Sequence, residues 1–203
     1  MKFNIPAINV AAKKENYDIV NFLMSNNQFK IVKNCFTHCK KLRQIKIPSF
    51  IKSIGACAFS HCHSLVQIEI PSSVDIIERE AFSHCYSLTI IKLPSSIKTI
   101  SESMFSHCSA LKEIEIPLSV TKIEVNAFYN CIFLKQIVIP SSVEIIETCA
   151  FHGCNSLCHV TLPSSIKYIG SFAFGNCHSL IHFPLPDGIS EDIFYHHETC
   201  DIF

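Results

Sequence analysis

The stretch Phe59-Ser60-His61-Cys62-His63-Ser64-Leu65-Val66-Gln67-Ile68-Glu69-Ile70-Pro71 returns 23 residues later as Phe82-Ser83-His84-Cys85-Tyr86-Ser87-Leu88-Thr89-Ile90-Ile91-Lys92-Leu93-Pro94. Read outward in both directions, its phenylalanine recurs without a break at Phe36, Phe59, Phe82, Phe105, Phe128, Phe151 and Phe174. A chain that repeats one short unit seven times stacks it into a solenoid. Solenoids work through an extended surface, so the period argues against an enzyme built around one pocket.

The other columns keep the same step. Cys39, Cys62, Cys85, Cys108, Cys131, Cys154 and Cys177 follow each phenylalanine by three residues, and Leu42 through Leu180 follow by three more. Paired residues such as Ile68 and Ile70 then alternate with polar neighbours, the period of a strand with one face buried. Proline cannot donate a ladder hydrogen bond, so Pro71 and its equivalents mark the strand ends, and the Ser72-Ser73 type pairs fit turns. The other half of each unit, for example Ile77 to Cys85, is too short for a long helix and reads as extended or single-turn helical structure. One unit cannot stand alone, because ordering its backbone costs more than burying its few apolar side chains returns. Stability must be collective, and the two ends need caps.

The pattern Phe-x-x-Cys-x-x-Leu-x-x-Ile-x-Ile-Pro-x-x-Val-x-x-Ile-x-x-x-Ala resembles the leucine-rich repeat of the BspA-like surface antigens, over about residues 28–189. The resemblance implies a right-handed, predominantly β solenoid (an α/β fold class in its widest sense) with a parallel sheet on the concave face. It also implies adhesion or recognition at a cell surface.

Residues 1–27 lack these columns. Ala11, Ala12, Ile19, Val20 and Leu23 match the small and apolar positions of an ankyrin helix pair, which makes this segment a helical N-terminal cap. The rival reading takes Ile19, Phe22 and Met24 as a degenerate first strand, 23 residues before Leu42, Ile45 and Ile47. Alanine and lysine content favours helix. The pattern fails after Ile189, so residues 190–203 form a short cap or tail.

With 17 basic and 17 acidic residues the chain lacks the field of a general nucleic-acid binder. No run approaches a membrane span, and Met1 to Val10 has no apolar signal-peptide core. These features point to the cytoplasm, whereas the family resemblance points to the cell surface.

Twelve cysteines in a chain of this size raise the question of a disulfide framework. Seven of them form one column whose side chains point the same way, against bridging geometry, so they read as small buried apolar residues. Cys35, Cys57, Cys149, Cys158 and Cys200 lie outside that column with no evident pairing. His38, His61, His84 and His107, each just before a column cysteine, invite a metal reading. Neighbouring side chains in extended structure face opposite ways, so the expectation is an exposed histidine ladder and no metal site. No nucleophile elbow, phosphate loop or zinc-protease helix is present, and nothing requires a cofactor.

The functional signal lies in the strand positions that alternate with the core. Lys46, Glu69, Lys92 and Glu115 alternate in sign across successive strands, an arrangement that stabilises a sheet modestly. Beyond them the same face loses charge through Val138, His159, Thr161 and His182. The candidate binding surface is therefore Lys92, Glu113, Glu115, Gln136, Val138, His159, Thr161 and His182 on the concave face. The expected function is non-catalytic binding of a protein or glycan partner, without nucleic acid or membrane insertion. An intracellular interaction scaffold is the alternative.

Overall fold

A computed structural model describes residues 30–180, 185 and 191–194, and all structural statements below concern these residues. The 23-residue units stack as a parallel β-solenoid with two strand columns. The first column follows the Leu-x-x-Ile-x-Ile pattern. It holds β3 (Gln67–Glu69), β5 (Ile90–Lys92), β8 (Gln136–Val138) and β10 (His159–Thr161). The second follows the branched pair after the proline. It holds β1 (Lys30–Ile31), β2 (Ser53–Ile54), β4 (Ile76–Ile77), β6 (Thr99–Ile100), β7 (Lys122–Ile123), β9 (Ile145–Ile146) and β11 (Tyr168–Ile169). Every pairing is parallel and shifted by one repeat, as in Gln67 with Ile90 or Ile100 with Ile123. The N-terminal helical cap expected over 1–27 lies outside the described residues.

The apolar columns converge on one continuous core. All seven column phenylalanines are essentially inaccessible to solvent, and each ring stacks on the next at 5.0–5.7 Å between centroids. Full burial of such a side chain is worth roughly 1.5–3 kcal/mol. Offset stacking adds to it.

Between the second strand and the cysteine the chain makes neither a long strand nor a helix. It runs through turns with two left-handed residues per repeat: Cys57 and His61, Glu80 and His84, Asn126 and Asn130, Cys149 and Gly153. This geometry turns three amides per repeat toward the next layer. His61 N–H donates to Ser83 O at 2.8 Å, Phe59 N–H to Ala81 O at 2.8 Å, and Cys57 N–H to Arg79 O at 3.0 Å. Backbone groups that would otherwise be buried without partners are satisfied by the neighbouring repeat.

The cysteine column serves the same purpose. Cys62 Sγ donates to Phe36 O at 3.1 Å, and Cys85, Cys108, Cys131, Cys154 and Cys177 repeat the contact at 3.2 Å to the phenylalanine of the preceding unit. Burial pushes the Cys108 thiol up to about 12 and Cys85 well above its ordinary range, so these groups stay protonated and able to donate. A cysteine is small enough for the core and still offers a weak donor there. Ten described cysteines are free thiols, whereas Cys149, for which the sequence columns offer no partner, is disulfide-bonded.

The strands are parallel, as expected, and each column's ladder is interrupted once. In the first column residues 113–115 form no strand, which separates β3–β5 from β8–β10. In the second column the break falls between β4 and β6. Its cause is local. Glu78 N–H donates to Ile54 O and Glu124 N–H to Ile100 O, but Ser101 uses its hydroxyl on Ile77 O at 2.6 Å. The turn layer runs through this region intact, with Phe82 N–H on Met104 O at 3.0 Å and Phe105 N–H on Ala127 O at 2.8 Å.

At the far end the 3-10 turn Glu191–Phe194 covers the last layer. Phe174 N–H donates to Ile193 O at 2.9 Å, Ser171 Oγ donates to Asp192 Oδ2 at 3.0 Å, and Ile193 is fully buried.

Candidate functional site

The first strand column presents one solvent face: β3, β5 and β8 bury their middle residue and expose the two beside it, as in Gln67 and Glu69 around Ile68, and in β10 the middle residue Val160 is half-buried between exposed His159 and Thr161. Lys92 lies exposed at the end of β5, in register with Glu69. Gln136 and Val138 flank Ile137 in β8 and pair with His159 and Thr161 of β10. Glu113 and Glu115 are exposed on either side of buried Ile114, although that segment makes no ladder. The structure therefore brings Gln136, Val138, His159 and Thr161 onto one strand pair and sets Lys92 apart from them across the 113–115 break. His182 lies outside the described residues.

Val138 is 64% exposed and Ile90 63%, two apolar side chains on a face whose other members are polar. Cys158 Sγ sits 3.1 Å from His159 Nδ1, which orients that imidazole on the sheet surface. The sequence reading passes over this pair because Cys158 belongs to no column.

The sharper geometric feature lies on the other half. A cavity of about 1110 Å³ opens on β3, β5 and the preceding repeat, which makes the face concave there. Among the described residues its lining includes Lys41, Arg43, Lys46 and Lys92 but only one carboxylate, Glu69. Lys46 pairs with Glu69 across a single parallel bridge, and Glu69 with Lys92 in the next register. Charge alternation across these strands is thus correct in order. It does not close into ion pairs: among the described residues the ion pairs within 4.0 Å are Lys122 with Glu124 and Glu147, and Lys167 with Glu144. Lys41 and Arg43 escape the alternating-strand reading because they precede the strand, at positions where the next repeat has Ser64 and Val66. The basic run Lys40-Lys41-Leu42-Arg43 was the signal available in the sequence.

The histidine flank is a ladder, as expected, and its cause is conformational. His38, His61, His84 and His107 all have φ near +60°, and the later repeats place Asn130, Gly153 and Asn176 in the same position. Left-handed backbone favours Gly and Asn, with His next among common residues. The four rings stack face to face at 4.3–4.6 Å. Parallel rings aim their nitrogens alongside one another instead of at a common point, and among the described residues no group of three or more His, Cys, Asp or Glu converges as a metal site would. Burial, helped by the neighbouring imidazoles His107, His61 and His63, lowers the His84 pKa to about 4. His61 and His107 are lowered in the same direction, chiefly by burial.

Among the described residues no helix is long and apolar enough to cross a membrane. No curated protein matches the chain. Solved structures do. A leucine-rich repeat protein of Bacteroides ovatus is 36% identical over 75% of this chain with a TM-score of 0.72, and the chain spans only 43% of that protein. The leucine-rich repeat protein of T. pallidum is 31% identical over 75% of this chain and 71% of its own length, with a TM-score of 0.70. A leucine-rich cell surface protein of Faecalibacterium prausnitzii is 26% identical over 82% of this chain and 67% of its own, with a TM-score of 0.61. The sequence pattern of the BspA type leucine-rich repeat region matches residues 11–135 and 121–201. That match begins inside the segment resembling an ankyrin helix pair and lends the ankyrin resemblance no support. By its repeat columns, its parallel layers and these matches, the chain belongs to the BspA-type leucine-rich repeat family.

Proposed function

We propose that this chain is a non-catalytic recognition module that binds a protein partner on the face formed by its first strand column, in cell-surface adhesion. The carrying observation is the display of solvent-facing side chains, two on each of the strands β3, β5, β8 and β10, on a stacked core. Such a face offers many fixed contact points over a long span and needs no conformational change to do so. The centre of the contact is the β8–β10 pair, where exposed Val138 supplies apolar area beside Gln136, His159 and Thr161. Glu113 and Glu115 form its polar border toward Lys92. Leucine-rich repeats of this family act as protein-interaction modules, and one similar structure is a cell surface protein.

A photo-crosslinking residue in place of Val138, compared with one in place of Tyr168 on the second column, tests the assignment on intact cells. Specific adducts are expected from position 138, competed away by unmodified protein. The combined change Glu115→Ala, Val138→Ser, His159→Ala is expected to abolish them while leaving the melting temperature unchanged. Adducts of equal yield from both positions, or binding that survives the triple change, would remove this face from the mechanism.

A further inference from the structure

We infer that the first three repeats form a basin for a short carboxylate-rich segment of the protein partner, a segment whose own charge reverses as it passes the fourth repeat. The inference rests on the reading of the first strand column as the recognition face and specifies the chemistry of what lies there.

The basin is the cavity of about 1110 Å³ on β3 and β5. Arg43, Lys46 and Lys92 project into it against the single carboxylate Glu69. No carboxylate among the described residues lies within 4.0 Å of these three cations, so their charge is available to a ligand. A concave wall of low dielectric concentrates such a field and draws in the opposite charge. Ile90 lies in the same lining and is 63% exposed, which provides an apolar seat for the aliphatic part of a peptide side chain. Among the described residues that line the cavity none is aromatic, so these supply no flat plate on which a sugar ring packs.

The next repeat reverses the sign, because exposed Glu113 and Glu115 outnumber Lys112 there. Successive repeats lie about 4.8 Å apart, so the sign reverses within a single step of the stack. A long uniform polyanion, such as a sulfated glycan or a nucleic acid, meets repulsion at that border. A peptide can place carboxylates over Arg43, Lys46 and Lys92 and a lysine or arginine over Glu113 and Glu115.

Fluorescence anisotropy on the full chain tests this with three labelled probes: a peptide with a Glu/Leu block followed by a Lys block, its Gln/Leu isostere, and a heparin oligosaccharide. The block peptide is expected to bind at least about tenfold more tightly than the isostere. Affinity should fall as salt rises from about 50 to about 300 mM. The triple variant Arg43→Gln, Lys46→Gln, Lys92→Gln should lose this preference. Lys52→Gln, Lys98→Gln, Lys167→Gln, with the same change of net charge away from the basin, should keep it. The charge-reversing variant Arg43→Glu, Lys46→Glu is expected to prefer a peptide whose acidic block is replaced by lysine. Equal binding of peptide and isostere, or heparin binding without peptide binding, overturns the inference. If crosslinking from position 138 persists in that case, only the basin is lost; if it too is absent, the recognition face itself is wrong.

Discussion

The flank of repeats bearing His38, His61, His84 and His107 and the flank bearing Asn130, Gly153 and Asn176 meet one backbone requirement with different chemistry. Both need a left-handed residue whose amide reaches the next layer, as His84 N–H reaches Ser106 O and Asn130 N–H reaches His152 O, each at 2.8 Å. In the first flank the histidine ring fills the layer, and the residue before it is small: Ser60, Ser83 and Ser106 are buried beneath the stack. In the second flank the ring moves one position back at Tyr129 and His152, whereas Gly175 carries none there. Tyr129 stacks on His152 at 5.3 Å, and the left-handed position shrinks to Asn or Gly. The ring thus moves from a half-exposed stack to a site that, at His152, is buried. The core beneath does not change.

That last statement is the easiest to break. Phe82→Ala and Phe151→Ala, one from each half, are each expected to cost about 3–5 kcal/mol in urea unfolding. Equal losses indicate one cooperative core; a loss confined to one half would make the two halves separate folding units.

The flank difference is sharpened by exchange. Gly153 has φ +73°, and a Cβ built there would meet Asn130 Oδ1, a movable side-chain atom. Gly153→Ala should therefore cost about 1–2 kcal/mol, mostly from the left-handed backbone. His84→Asn should cost less than Gly153→Ala, because asparagine already occupies this position at Asn130.

Acid separates the halves by titration. The folded His84 pKa lies near 4 against an ordinary 6.5, with His61 and His107 also lowered. In this window the unfolded chain binds more protons than the folded one, so stability is full above about pH 6.5, falls as pH drops toward 4, and levels off below. The stack is partly exposed, which limits the loss to on the order of 1 kcal/mol for the ladder. Hydrogen exchange at pH 7.5 and 4.5 should show amides of the first four repeats losing protection before those of the later ones. Replacing His61, His84 and His107 by Asn should flatten the dependence.

Smaller effects concern the ladder break and the surface. Ser101→Ala removes the hydroxyl bonded to Ile77 O and should cost about 1 kcal/mol. Lys167→Ala opens the exposed pair with Glu144 and should shift stability by no more than about 0.5 kcal/mol. Both are measurable by thermal melts of matched variants.

Much of this was legible in advance because the period is strict. Phe36 to Phe174 and Cys39 to Cys177 could only be a stacked interior, and their burial follows from the spacing. The histidines were legible as a ladder but not as a conformational choice, since a left-handed φ leaves no mark in hydropathy. The candidate face was legible as a face. Its division was not, because Glu113 and Glu115 continue the alternating pattern of exposure even where the hydrogen-bond ladder lapses.

The residue order alone determined the repeat length, the identity of the core and the exposure of the alternating rows, since all of these follow from periodicity and burial. Only the tertiary structure decided which cations share a cavity, how the thiols are satisfied and where the ladders break. Those depend on distances between residues 22 to 26 positions apart, set by how one layer settles on the next.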